Sequence, residues 1–301
     1  MMSLSPVTRL RRSKTLAFYL FISPWLIGFI ALAAGPMIYS FYMSFTEWQI
    51  MGGSEWVGLE NYERMFFHDP LFWTTMWNTF FYTFFGVPLG LAFGYLLAVL
   101  LNQKVKFMGI FRTIFYLPSI VPAVASSLLW LLIFQPEFGL ANALLDGFGL
   151  PTSRWLLSES MVKPALIIMS LWGVGGGMII YLAGLQGVPP SLYEAAEIDG
   201  AGKWRKFWHI TIPMTSHVIF FNLIMGVIGS FQVFTQAYVM SGGGPNYASL
   251  FYVLYLYQNA FEFFNMGYAS ALAWILFVII LIFTLLQFKL FGKKVYYEYD
   301  D

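Results

Sequence analysis

Residues 272–286 read LAWILFVIILIFTLL. The run holds one hydroxyl, Thr284, and no charge. A strand of a membrane barrel alternates apolar and polar residues over about ten positions, and nothing here alternates. A helix that is apolar all round belongs in lipid or in a protein interior. Five further stretches resemble it, so six are read in all: Leu16–Phe45, Trp73–Leu101, Ile110–Phe134, Pro164–Leu185, Ser216–Met240 and Ser270–Leu290. A helix of about 20 residues crosses a hydrocarbon core near 30 Å thick. Pro24, Gly35, Pro36, Pro88, Pro118 and Pro122 fall inside these stretches, where neighbouring helices absorb a kink. The expectation is an all-α, polytopic membrane protein with six transmembrane helices over residues 16–291, a cytoplasmic segment 1–15 and a cytoplasmic tail 292–301.

Composition agrees. The chain has 301 residues, 59% of them hydrophobic and 10% charged, against about 45–50% and about 25% in soluble domains. A soluble enzyme core, a disordered chain and a disulfide-stapled secreted fold are poor fits. With no cysteine, thiol catalysis, disulfides and Cys-ligated metals are excluded. His68, His209 and His217 are too scattered to suggest a metal site. The net charge of +1 offers no basic face for nucleic acid.

Basic residues set the expected orientation. With the N-terminus inside, the cytoplasmic segments hold Arg9, Arg11, Arg12, Lys14, Lys104, Lys106, Arg112, Lys203, Arg205, Lys206, Lys289, Lys293 and Lys294; only Arg64, Arg154 and Lys163 fall outside. Both termini are therefore expected in the cytoplasm, with no charge deep in any crossing. Ion-coupled carriers usually place ionisable groups at mid-membrane, so the energy for pumping is expected from elsewhere. The basic start and apolar run also resemble a secretory signal with Ala31–Ala34 as its cleavage site, but the run is long for one.

Among the outside loops, residues 47–72 are placed over the mouth of the bundle, and Gln135–Lys163 is polar and broken by Pro136, Gly139, Gly147 and Pro151. Ser241–Asn246 is a glycine turn suited to positive φ. Its continuation through Tyr252, Tyr255, Leu256 and Phe263 is expected along the membrane surface.

The long loop Gln186–Thr215 carries most of the functional signal. Ser191 fits an N-cap with Glu194 as its capping-box partner. A break follows at Gly200 and Gly202, and a second amphipathic piece runs from Lys203 to His209. Ile198, Trp204 and Phe207 are expected to pack this stub. Lys203, Arg205 and Lys206 are read as contacts to lipid headgroups or a partner, or simply as solvated charges. From the residues alone, a capped connector is as good a reading as a functional element.

Glu194-Ala195-Ala196, then Gly200, and after nine intervening residues Ile210-Thr211-Ile212-Pro213, resemble the EAA loop of binding-protein-dependent ABC importer permeases. The family pattern ends I-x-L-P, and Ile212 replaces the Leu. The run Tyr193–Gly202 is similar to the carbohydrate branch, of maltose-type and glycerol-phosphate-type permeases. Trp56–Tyr62, Arg112–Pro118 and Gly242–Pro245 extend the resemblance over nearly the whole chain. It implies the type I ABC importer permease fold, with the loop 189–213 seated in a cytoplasmic ATPase dimer through Glu194, Ala195, Ala196, Glu197, Asp199, Gly200, Ala201 and Gly202. It also implies a second permease subunit, expected to be a different chain, and an extracytoplasmic solute-binding protein.

No phosphate loop is present: the glycines at 173–177 lack the following Lys-Ser/Thr. The chain is thus expected to be a non-enzymatic transport subunit binding no cofactor, with ATP and Mg²⁺ held by the ATPase. A carbohydrate passes neutral hydrogen-bonding groups and aromatic faces. Trp172, Gly173, Gly176 and Tyr181 in the fourth stretch, and Asn222, Gly226, Ser230, Gln232 and Val233 in the fifth, are the candidate substrate path. The resemblance points to Gly173, Gly176, Gly226, Ser230 and Val233, of which only Ser230 is polar. Helix packing is the competing role for the glycines. Alternative readings are a permease for a phosphodiester or peptide and, from another class, a channel or ion-coupled carrier.

Overall fold

A computed structural model of the chain describes residues 6–49, 53–103, 105–292 and 295–296, with side chains described from residue 14 onward except that of Gln49. The side chains of Arg9, Arg11 and Arg12, and residues Lys104, Lys293 and Lys294, lie outside the described set, as does most of the tail 292–301. Two compact units result, one from residues up to Arg64 with Asn259–Trp274, the other from Met65–Gln258 with residues from Ile275.

In the first unit, helix α1 (Pro6–Phe29) runs through a π-turn into α2 (Gly35–Met43). Strands β1 (Thr46–Gln49) and β2 (Gly53–Trp56) follow as a small antiparallel hairpin, pairing Thr46 with Trp56. The all-helical expectation is corrected to this extent. Asn61 pins the hairpin's base by donating to the Ser44 and Thr46 carbonyls at 3.0 Å each. Gly267 lies so close to the Thr46 carbonyl that a Cβ there would overlap it. Trp274 donates to Ser40 Oγ at 3.2 Å and meets Phe41 edge-on at 4.8 Å.

The second unit is organised on α3 (Pro70–Leu101). Asp69 caps it by accepting from the Leu71 and Phe72 amides at 2.9 and 3.3 Å, and Pro70 at N1 has no amide to leave unpaired. Pro88 sits inside this helix without ending it. Helices α4 (Met108–Ile120) and α5 (Ala123–Ile133) meet at 98°, α6 (Val162–Trp172) and α7 (Gly175–Gln186) at 48°, and the helical stretch Lys203–Met214 meets α8 (Ser216–Phe231) at 66°. The last long helix, α9, spans Met266–Phe291.

Three described helical segments are long and apolar enough to cross a membrane, and as many as six if each bent pair is one crossing. The third, fourth and fifth expected helices are therefore broken rather than continuous. Pro122 turns the chain because it forces Val121 into an extended conformation, ψ 130°. The fourth breaks at Gly173–Val174. The fifth ends at Phe231, unwinds over residues 232–234, and resumes as the short helix Thr235–Met240.

Elsewhere, Gly242 and Gly243 take φ of +59° and +92°, as the turn reading expected. In the helix Tyr252–Tyr257, Tyr252, Leu254 and Tyr255 are buried within the protein, Leu256 is half-buried and Phe263 beyond it is exposed. Thr79 Oγ1 accepts the Tyr252 amide at 3.0 Å, and Asn78 donates to the Tyr247 and Leu250 carbonyls at 2.8 and 3.0 Å. Lys163, placed in a loop by the sequence reading, stands in α6 and donates to Asn78 Oδ1 at 2.9 Å.

The glycines at 173–177 divide by position. A Cβ on Gly175 would overlap the Phe115 carbonyl, so α7 and α4 touch through bare backbone. Gly175→Ala is expected to cost about 1–3 kcal/mol through overpacking, read as a fall of several degrees in the thermal midpoint of the detergent-solubilised chain. Gly109→Ala, where a Cβ meets open space, should leave that midpoint unchanged.

Candidate functional site

Two features of the second unit carry chemistry. The first is a cavity of about 520 Å³ among α3, α6, α7, α8 and the unwound residues that follow α8. Its wall includes Tyr82, Ser170, Tyr181, Asn222, Ser230, Gln232, Thr235 and Gln236 as hydrogen-bonding side chains, with Gly86, Gly90, Gly177, Gly226 and Gly229 between them. Among the described residues, no Asp, Glu, Lys, Arg or His lines it. Amides and hydroxyls between bare glycine backbone make a neutral, polar surface suited to a solute rich in hydroxyl groups.

Of the expected path residues, Tyr181, Asn222, Gly226, Ser230, Gln232 and Val233 line this cavity. Trp172, Gly173 and Gly176 do not. Trp172 meets Trp130 at 6.1 Å, and a Cβ on Gly176 would touch the Ser119 side chain at 3.6 Å. Ser170, Val174, Gly177 and Tyr181, spaced four, three and four residues apart, form the stripe that reaches the wall, and Gly173 and Gly176 lie off that stripe. Ser230 is already engaged, its Oγ 2.9 Å from both Thr83 Oγ1 and the Val227 carbonyl. Asn222 gives one amide proton back to the Val218 carbonyl at 2.9 Å. The sequence reading missed the second helix's share. Its signal was the spacing Gly86, Gly90, Gly94, a small residue every fourth position on one helical face; the first two line the cavity, and Gly94 abuts the Tyr181 ring.

The second feature is the stub after α7, opened by the nine-residue helix Pro190–Ile198. Its N-cap is Pro189, with Pro190 at N1 and no side-chain cap. The capping-box expectation for Ser191 is thereby corrected: the fixed φ of Pro190 starts the helix earlier than Ser191 would. The helix stops in a Schellman motif. Gly200 takes φ +72°, its amide bonds the Glu197 carbonyl at 3.0 Å, and the Ala201 amide bonds the Ala196 carbonyl at 2.8 Å. The bend expected at Gly200 is therefore real. The chain then returns through Lys203–Lys206 and a π-turn, Phe207–Thr211.

Glu197 and Lys206 join the stub's two arms with an ion pair of 2.8 Å. The hydrogen bond from Lys206, and then its charge, holds the Glu197 carboxyl below its ordinary value. Lys206 is thus committed within the stub rather than free for lipid. Phe207 packs inward against Tyr95 at 6.2 Å. Ile198 and Trp204, expected to pack the stub, do the opposite, at 88% and 76% exposure. Ile198 lies five positions beyond the half-buried Tyr193, about 140° round the helix, so it points away when Tyr193 points in.

Comparison with known proteins gives these features a context. The profile of the family described as "Binding-protein-dependent transport system inner membrane component" matches residues 86–295. The chain belongs to that family. A probable ABC transporter permease of Bacillus subtilis, YesP, is 43% identical over 95% of this chain and 94% of its own length. The arabinooligosaccharide transport permease AraP of the same organism is 36% identical over 93% and 90%. The trehalose/maltose transport permease MalF of Thermococcus litoralis is 32% identical over 90% and 92%. Among solved structures, a chain of a bacterial ABC transporter involved in import of the acidic polysaccharide alginate superposes with TM-score 0.83, covering 95% of this chain and 99% of that one. At 23% identity that likeness speaks for the ABC permease fold alone.

The ion pair within this permease's stub has a pH signature. Because the folded carboxyl sits below its ordinary 4.5, the pair's contribution is complete above that pH and is lost as pH falls through the depressed value. In a ¹³C-Glu-labelled permease, Lys206→Gln should raise the Glu197 titration midpoint towards 4.5. An unmoved midpoint would mean that Lys206 does not hold the carboxylate.

Proposed function

We propose that this permease forms one half of the translocation path of an ATP-driven importer of a sugar or oligosaccharide. The observation that carries the reading is the uncharged, amide- and hydroxyl-lined cavity beside the unwound residues 232–234. Relatives named for arabinooligosaccharide and trehalose/maltose transport support the same substrate class. A phosphodiester or other anion would call for a cation, and no described residue of the cavity wall supplies one. An ion-coupled carrier would need an ionisable group there.

In this reading the bent pairs α4–α5 and α6–α7 each make one crossing and α8, with the residues up to Met240, makes another, giving six within residues 16–291, with segment 1–15 and the tail 292–301 in the cytoplasm. The distribution of Lys and Arg supports that orientation. The cytoplasmic stub, residues 189–213, then faces an ATPase dimer that holds ATP and Mg²⁺, and the permease itself does no chemistry. Glu194, Ala195 and Glu197 lie exposed along its first helix, with Asp199, Gly200 and Gly202 at its tip. Ala196 and Ala201 are half-buried behind them. Exposed Ile198 and Trp204 add apolar area to the same element, the composition of a surface that a partner covers. Glu194 has an exposed carboxylate for charge-assisted hydrogen bonds from that partner. A second permease closes the other side of the path, and an extracytoplasmic binding protein delivers the solute. A fold neighbour was solved with an alginate pentasaccharide-bound periplasmic protein.

Two variants test the two halves of this proposal. Glu194→Lys should abolish ATP-driven uptake while membrane insertion stays normal; uptake at the wild-type rate would remove the stub from coupling. Gly229→Trp should block uptake across a panel of arabino- and malto-oligosaccharides without loss of folding. A Cβ at Gly229 meets nothing within 4 Å, so the added ring fills the cavity instead of displacing a helix. Ser230, held against Thr83, is a worse site for bulk. Unchanged transport by the Gly229→Trp permease would show that the cavity is not on the path.

A further inference from the structure

Between the stub and the cavity lies a chain of polar and aromatic contacts, half-buried at Tyr193 and buried from Thr215 inward. Tyr193, on the stub's first helix, places its hydroxyl 3.0 Å from Thr211 Oγ1 at the end of the π-turn. One turn later Thr215, fully buried, sits at the 66° break before α8. Its hydroxyl lies 2.7 Å from the Thr211 carbonyl and 2.7 Å from the Tyr95 hydroxyl of α3. A threonine has one hydroxyl proton. Given to the Thr211 carbonyl, it leaves Thr215 Oγ1 as acceptor, so Tyr95 is the donor across the helix interface. The Tyr95 ring meets Tyr181 edge-on at 5.4 Å, and Tyr181 is part of the cavity wall. Both rings belong to one buried cluster with Met178 and Leu182, and Phe207 of the π-turn packs against it.

We infer that Tyr95 and Thr215 are positioning residues that convert movement of the stub into movement of the cavity wall. The inference rests on the reading of the stub as the ATPase contact. A continuous α-helix through residues 203–231 would move as one stiff body. Here the axis is bent at Thr215, with a π-turn, a feature frequent at functional sites, just before it. A hinge needs a fixed point, or the far arm does not follow. The Tyr95 to Thr215 hydrogen bond supplies one, tying the joint to α3. The Tyr95–Tyr181 contact carries the same anchor to α7, one side chain from the cavity. Both groups are buried, so water does not compete for the bond.

The chain has no cysteine, which allows one reporter thiol. Met225→Cys places it on an exposed part of the cavity wall. In the importer complex with its ATPase, the alkylation rate of that thiol by N-ethylmaleimide is measured with and without ATP plus vanadate. The expected change with nucleotide is about tenfold, within the range of ordinary allosteric coupling. Tyr95→Phe keeps the ring and leaves only an acceptor lone pair unfilled, so the fold should survive. It should bring the two rates together while ATP hydrolysis continues. Thr215→Val should do the same, the double variant should be no worse than either single, and Thr215→Ser should restore the nucleotide effect. A normal nucleotide effect in Tyr95→Phe, or additive losses in the double variant, would overturn the hinge-anchor role and leave the stub's coupling intact. An alkylation rate indifferent to nucleotide in the Met225→Cys parent would overturn both together.

Discussion

A backbone N–H or C=O left without a partner in hydrocarbon costs several kcal/mol, so irregular backbone at membrane depth survives only where protein or a water-filled cavity backs it. In an inner-membrane family member built of long apolar helices, that constraint decides where the helices are allowed to stop. Residues 232–234 are irregular backbone of this kind, with a cavity behind them. The helix ends at Phe231 in the middle of what composition alone reads as one span, and the residues that follow line the cavity. Breaks are not defects in this architecture. They mark where the chain exchanges helix for surface.

The long helices were legible for the same reason. An uninterrupted apolar run satisfies the constraint without help from its neighbours, and α3 and α9 begin and end within a few residues of the stretches read from sequence. The breaks were not legible because they depend on what packs behind them. Pro88 and Pro118 stay inside helices, while Pro122 turns the chain through 98°; all three read alike in the sequence. Glycine was equally ambiguous. Gly175 is required by the Phe115 backbone against it, Gly177 and Gly229 open the cavity, and Gly173 does neither.

The candidate site was lost and found by helical phase. In α8 no break intervenes between Asn222 and Ser230, and the residues projected onto one face do line the cavity, joined by Gln232 and Val233 just beyond. In α6 and α7 the wall is the stripe Ser170, Val174, Gly177 and Tyr181; of the residues expected there only Tyr181 belongs to that stripe, and Trp172, Gly173 and Gly176 stay off the wall. The stub shows the same split. Its C-terminal end, a Gly at C′ with no competing signal, was readable; its N-terminal end carried both a proline start and a capping-box pattern, and the proline prevailed. Exposure of Ile198 and Trp204 was the reverse of the usual expectation for large apolar side chains, since that expectation assumes the chain buries its own apolar surface.

The two features meet in residue order. The stub leads through the π-turn and Thr215 directly into α8, whose far end unwinds into the cavity, so one continuous stretch, residues 189–234, joins the two. A neutral cavity has no charge with which to drive or hold a solute, and its amides and hydroxyls bind as well in one direction as in the other. Direction must then come from changing the wall's shape, and the wall's only mechanical inputs are the helices that form it. Of those, α8 is continuous with an exposed, internally braced element, while α3 and α7 share the buried tyrosine pair. The exposed Glu197–Lys206 pair adds little stability of its own; what holds the stub to the bundle is Phe207 against Tyr95 and the buried hydroxyls of Tyr95 and Thr215.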